Sequence, residues 1–111
     1  MTHIIFDSDE GTYRLSLIVK GHANSDEKGK DLVCASVSIL TYTIAKKVSD
    51  MKDCSEIAEN SVIKLDNGEA FINAHCRAKE SYDELLGAFS TILTGYGLIA
   101  NEYPQNVVVQ V

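Results

Sequence analysis

Two periods divide the chain. From Thr12 to Lys20 apolar and polar residues alternate, with Tyr13, Leu15, Leu17 and Val19 on one side and Arg14, Ser16 and Lys20 on the other. That is the period of a half-buried strand. His3 to Phe6 is a short apolar run, and Asp7-Ser8-Asp9-Glu10-Gly11 between the two is turn chemistry, so the start predicts an antiparallel hairpin. Gly21 to Lys30 is polar, holds two glycines and both signs of charge, and reads as a loop. The period then changes. Val33, Val37, Leu40, Ile44 and Val48 keep helical spacing, while Leu32, Ile39 and Tyr42 fall elsewhere around the cylinder. A helix apolar or small on nearly every side is predicted to be buried on nearly every side. Asp31 is a good N-cap for it, and Lys46 and Lys47 suit its carbonyl end.

After a polar connection from Asp50 to Asn60, Ser61–Leu65 and Ala70–Ala74 flank Asp66-Asn67-Gly68-Glu69. Asn-Gly is the strongest short hairpin signal. Ser81-Tyr82-Asp83-Glu84 has the form of a capping box. Leu85, Phe89, Ile92, Tyr96 and Ile99 give the second helix one apolar stripe. Gly95 and Gly97 weaken that helix by about 1 kcal/mol each relative to alanine, which points to close packing there. Pro104 ends the region, and Val107 to Val111 is a last strand. The predicted fold is α+β: one domain over residues 1–111, in the order β-β-α-β-β-α-β. Two helices pack against or between mainly antiparallel strands, with the first helix enclosed.

Composition narrows the function classes. The chain has 111 residues, 45% hydrophobic, with ten Lys and Arg against sixteen Asp and Glu for a net charge of −6. This is enough for one globular core. No basic block favours phosphate contacts, so nucleic acid is not an expected partner. The longest uncharged run, Leu32 to Ala45, is short for a bilayer and carries Ser36, Ser38, Thr41 and Thr43, so no membrane association is expected. Nor does the N-terminus resemble a secretory signal, which suggests a cytoplasmic domain.

Three widely spaced cysteines, Cys34, Cys54 and Cys76, do not form a disulfide framework or a C-x-x-C zinc site. The ordinary reading of each is a buried thiol that behaves as a small hydrophobe. Cys34 differs because of its neighbours. With Asp31 as N-cap it falls in the first helical turn, where unpaired N–H groups and the dipole favour a thiolate. His22 lies twelve residues earlier, a span that closes at little entropic cost, and can act as its general base. Ser38, one turn past Cys34, either hydrogen-bonds the dyad or substrate or bonds back to its own helix. Asp31 either caps the helix or orients His22. Gly21 supplies backbone freedom beside the histidine. Main-chain N–H groups around Cys34 are candidates for an oxyanion hole. His75 and Cys76 are neighbours that point to opposite faces, and a site combining His22, Cys34, His75 and Cys76 has no recognised metal-ligand spacing. No metal or cofactor is expected.

The segment Gly21-His22-Ala23, then Gly29, then Asp31-Leu32-Val33-Cys34-Ala35-Ser36-Val37-Ser38 resembles the signature of the ribosomal-processing cysteine proteases, the Prp (YsxB-like) family. Position 36, often alanine in that family, is serine here. The resemblance implies a small cytoplasmic homodimer that removes the N-terminal extension, ending in aromatic residues, from the precursor of the twenty-seventh protein of the large ribosomal subunit. It makes Cys34 the nucleophile and His22 the general base, with Gly21, Asp31 and Ser38 as motif residues around them. An acidic enzyme is attracted at long range to a basic ribosomal substrate. In the loop, Asn24, Ser25 and Lys28 are candidates for contact with the substrate backbone. Two other classes use the same features: a non-catalytic binding module of the ribosome, and a thiol redox or acyl-transfer protein.

Overall fold

The computed structural model describes residues 1–21, 30–66 and 69–111, without the side chains of Lys30 and Asp31. Its elements are β1 (Thr2–Asp9), β2 (Arg14–Lys20), α1 (Lys30–Asp53), β3 (Val62–Asp66), β4 (Glu69–His75), α2 (Lys79–Glu102) and β5 (Val107–Gln110). This is the expected β-β-α-β-β-α-β order. The strands form one sheet in the order β3-β4-β2-β1-β5. Neighbours are antiparallel except β1 and β5, which run parallel.

Strand alternation sets the sheet's two faces. Ile4 and Phe6 of β1, Leu15, Leu17 and Val19 of β2, and Ala70, Ile72 and Ala74 of β4 are buried on one face. Cross-strand pairing keeps them there: Ile4 lies opposite Val19, and Leu17 lies opposite Ile72. Both helices cover that face. Phe89 of α2 meets Phe6 with ring centroids 4.9 Å apart. The stripe Val33, Val37, Ile44, Val48 and Met51 of α1 is buried beside it. Leu32–Asp53 is long and apolar enough by composition to cross a membrane, yet that stripe is committed to the sheet.

The helices touch where sequence suggested close approach. A Cβ on Gly95 would stand 2.8 Å from Leu40 Cδ1, whereas one on Gly97 would meet nothing within 4 Å. Only the first of the two glycines therefore sits in the interhelical contact, where a methyl would make the Leu40 side chain shift. At the next residue on each helix, the fully buried Tyr96 places its hydroxyl 2.7 Å from Thr41 Oγ1, and Thr41 donates to the Val37 carbonyl at 2.7 Å. Tyr96 is thus the donor of the pair. Burial pushes its pKa up to about 12, against a small lowering by Thr41.

Several expected boundaries shift. The first turn is shorter than predicted because Asp7, Ser8 and Asp9 extend β1, with Asp9 opposite Arg14 in register and its carboxylate accepting from the Gly11 N–H at 2.9 Å. Tyr13 leaves the strand for the turn, with φ 57°, and its ring packs against Tyr82. α1 begins at Lys30 and continues to Asp53, since Val48 and Met51 prolong its buried stripe past the two lysines. α2 begins at Lys79, so Ser81 is not its N-cap. Ser81 instead accepts a hydrogen bond from the Ala78 N–H at 3.2 Å, the reaching-back half of a capping box. The expectation that α1 is enclosed also needs correction. In a two-layer fold it has the sheet below and α2 at one side, and its outer face leaves Leu32, Ile39 and Tyr42 exposed.

Candidate active site

Cys34 opens into a cleft formed where α1 crosses the ends of β2, β3 and β4. Its walls come from four places: Thr2 at the start of β1, Val19 and Gly21 at the end of β2, Leu65, Asp66, Glu69 and Ala70 from the β3–β4 hairpin, and α1. From α1 come Cys34, Val37, Ser38, Thr41 and Tyr42. The spacing of these α1 residues is that of one helical side. Cys34 itself is an exposed free thiol.

Gly21 and Cys34 share this cleft, although nine residues separate the end of β2 from the start of α1 in sequence. Gly21 has φ 88°, and a Cβ there would strike the carbonyl of Met1. Only glycine suits that backbone and that approach. His22 is bonded to Gly21 and lies outside the described residues, as do Asn24, Ser25 and Lys28. The expected contacts of those four are therefore not measured. Ser38 does share the cleft with Cys34. Asp31 lies within α1 and so does not stand at its N-cap.

The earlier helix start changes the environment expected for Cys34. Counting from Lys30, Cys34 is the fifth helical residue, not the third. Its own N–H therefore falls within the intrahelical ladder, and the unpaired amides at this end belong to residues no later than Leu32. The main-chain donors expected around Cys34 must come from ahead of it.

The other thiols separate clearly. Cys76 is buried, and burial, with Glu56 nearby, pushes its pKa up to about 11. Cys54, just past α1, is exposed, against the expectation of a buried thiol. His75 and Cys76 lie at the opposite end of β4 from Glu69, six residues or about 20 Å away, so they do not share a site with Cys34. Among the described residues, no group of three or more His, Cys, Asp or Glu is arranged to hold a metal ion.

Sequence reasoning did not single out Thr2, Val19, Leu65, Asp66, Glu69 or Ala70 as lining residues. They meet through sheet register, which has no local signal. Thr41 and Tyr42 did carry one, at seven and eight residues past Cys34.

The cysteine protease Prp family model matches residues 1–108. The chain belongs to that family. It is therefore a cysteine protease, and the non-catalytic binding-module reading is set aside. The chain is similar to the ribosomal processing cysteine protease Prp of Mycoplasma genitalium, 30% identical over 93 residues and 84% of each chain. The fold is also that of Prp from S. aureus in complex with a covalently linked product peptide, at 22% identity and TM-score 0.71, covering 99% of this chain and 98% of the other. The crystal structure of SMU.848 from Streptococcus mutans has the same fold, at 24% identity and TM-score 0.66, with 99% and 92% covered.

Proposed function

We propose that this protease removes the N-terminal extension from the precursor of the twenty-seventh large-subunit ribosomal protein, with Cys34 as nucleophile and His22 as general base. The observation that carries the assignment of residues is the cleft shared by Cys34 and Gly21, because Gly21 is the residue bonded to His22. In the proposed reaction His22 takes the thiol proton and the sulfur attacks the scissile carbonyl carbon. The resulting imidazolium gives its proton to the departing amine as the C–N bond breaks. Water, deprotonated by the same imidazole, then cleaves the thioester and releases the new C-terminus. Ser38 and Asp31 act as positioning residues in this scheme, and Asn24, Ser25 and Lys28 contact the substrate backbone.

The relative from Mycoplasma genitalium is a ribosomal processing protease by name, and related S. aureus structures hold a substrate or a product peptide. Both support a protein substrate here. The charge of −6 favours a basic one. Three free cysteines suit a reducing compartment, in keeping with a cytoplasmic enzyme. The bare Leu32, Ile39 and Leu98 of the two helices offer apolar surface for the homodimer.

Incubating the protein with the full-length ribosomal precursor and reading the new N-terminus by mass spectrometry tests the proposal. A shortened product is expected from the wild type and none from Cys34→Ala or His22→Ala, with both variants retaining native circular dichroism. Turnover retained by Cys34→Ala would eliminate covalent catalysis by that sulfur. Reversible oxidation of Cys34 without any peptide cleavage would favour the redox reading instead.

A further inference from the structure

The sheet has two edges, β3 and β5, and only one of them borders the nucleophile. Leu65 and Asp66 of β3 line the Cys34 cleft, and no residue of β5 does. Among the described residues, no strand pairs with the outer side of β3, whose last three residues, Lys64, Leu65 and Asp66, are exposed. Such an edge presents the N–H and C=O of every second residue unpaired, a ready template for another extended chain.

We infer that the substrate binds as an extended segment laid along the outer edge of β3, continuing the sheet by one strand and seating an apolar side chain between Tyr42 and Leu65. The inference rests on the peptidase reading above and adds how the peptide is held. A protease has to present its scissile bond in a stretched backbone, and strand addition supplies main-chain hydrogen bonds that do not depend on sequence. Side chains of an extended peptide alternate between faces, so every second one points toward the helix layer. There it meets two apolar side chains with unused surface. Tyr42 of α1 is 52% exposed and Leu65 of β3 is 45% exposed, and both line the cleft with Cys34. Leu65 faces the helices because it pairs with the buried Ala70. Glu69, opposite Asp66 across the hairpin at the same mouth, favours a segment that also carries a basic residue. The occupant is thus an extended peptide of apolar and basic character.

The test uses the wild-type protein and peptides that span the cleaved bond of the ribosomal precursor. Each peptide carries one N-methyl group on a successive backbone nitrogen other than the scissile one. Strand addition predicts an alternating pattern, with KM raised about tenfold or more at every second position and near its normal value between them. Tyr42→Ala and Leu65→Asn should each raise KM for the parent peptide while leaving kcat and the circular dichroism spectrum close to wild type. Cleavage with a flat N-methyl profile would overturn strand addition and leave the peptidase reading intact. Unchanged KM in both variants would overturn the apolar seat. Absence of cleavage with any peptide or with the full precursor would overturn both readings together.

Discussion

Replacing Gly21 with alanine separates backbone geometry from side-chain chemistry at the entrance to the site. At φ 88° an L-residue is strained, by about 1–2 kcal/mol from the Cβ–carbonyl conflict alone. The new methyl would also strike the carbonyl of Met1. That carbonyl cannot retreat freely, since the adjoining Thr2 N–H is bonded to the Asn106 carbonyl at 2.8 Å and His3 pairs with Lys20. Relief must come from the junction of β1, β2 and β5. The combined cost is about 2–4 kcal/mol, a large share of the roughly 5–15 kcal/mol that holds a domain together.

Gly87→Ala is the matched control. It adds the same methyl at an exposed helical position with nothing within 4 Å, and should stabilise by about 1 kcal/mol. Urea denaturation followed by far-ultraviolet circular dichroism gives both values. At low denaturant, where both variants are folded, cleavage of the proposed ribosomal precursor gives the functional reading. Displacing the segment that leads to His22 by a fraction of an ångström should lower kcat/KM by about a hundredfold in Gly21→Ala, and Gly87→Ala should match wild type. A Gly21→Ala protein with unchanged urea midpoint and unchanged kcat/KM would refute both the strain and its link to the site.

The buried Tyr96–Thr41 hydrogen bond predicts an asymmetric pair of variants. Tyr96→Phe removes only the donor and should cost about 1 kcal/mol, whereas Thr41→Val strands the buried tyrosine hydroxyl and should cost about 1–3 kcal/mol. Equal costs in urea melts would contradict the direction assigned to the bond. Iodoacetamide on the native protein should modify Cys34 and Cys54 but spare Cys76 until it unfolds, with peptide mapping as the readout. Alkali should destabilise the fold. Cys76, with its pKa raised from 9.0 to about 11, stays protonated in the native state while the unfolded chain loses that proton, so stability falls as pH rises from about 9 to 11. Urea midpoints across this range should decline less steeply in Cys76→Ala than in wild type, and parallel slopes would count against the shift.

How much of this was legible in the chain depends on the range of the signal. A short apolar run located β1, period-two alternation located β2, the Asn-Gly signal located the β3–β4 hairpin, and the apolar stripe of α2 emerged as read. These are local consequences of one buried face. The segment Gly21-His22-Ala23 with Asp31 to Ser38 pointed to the family and to Cys34 because its residues are contiguous. Boundaries were less legible where tertiary partners extend an element. Asp9 joins β1 through its pairing in register with Arg14 of β2, and Met51 remains helical because the core extends to it. The cleft was least legible of all. Leu65 and Glu69 reach Cys34 only after β4 has paired with both β2 and β3, and one-dimensional patterning does not encode that pairing.

The exposure of α1's outer face follows from the same geometry and bears on the site. In the proposed function the side of α1 that bears Cys34 has to stay open to the substrate, so the helix cannot be covered on every side. The helix is therefore held from the opposite side, and three contacts with α2 do so with unequal weight. The Lys47–Glu84 ion pair, 2.7 Å long but with both side chains near half exposed, contributes little in water. Leu40 against Gly95 and Thr41 with Tyr96 work in the interior, where packing and an unmatched hydroxyl are both costly. Thr41 belongs to both sets, since it bonds Tyr96 and lines the cleft. The stability of the interhelical contact and the placement of Cys34 thus share one side chain, seven residues and two turns along the same helix.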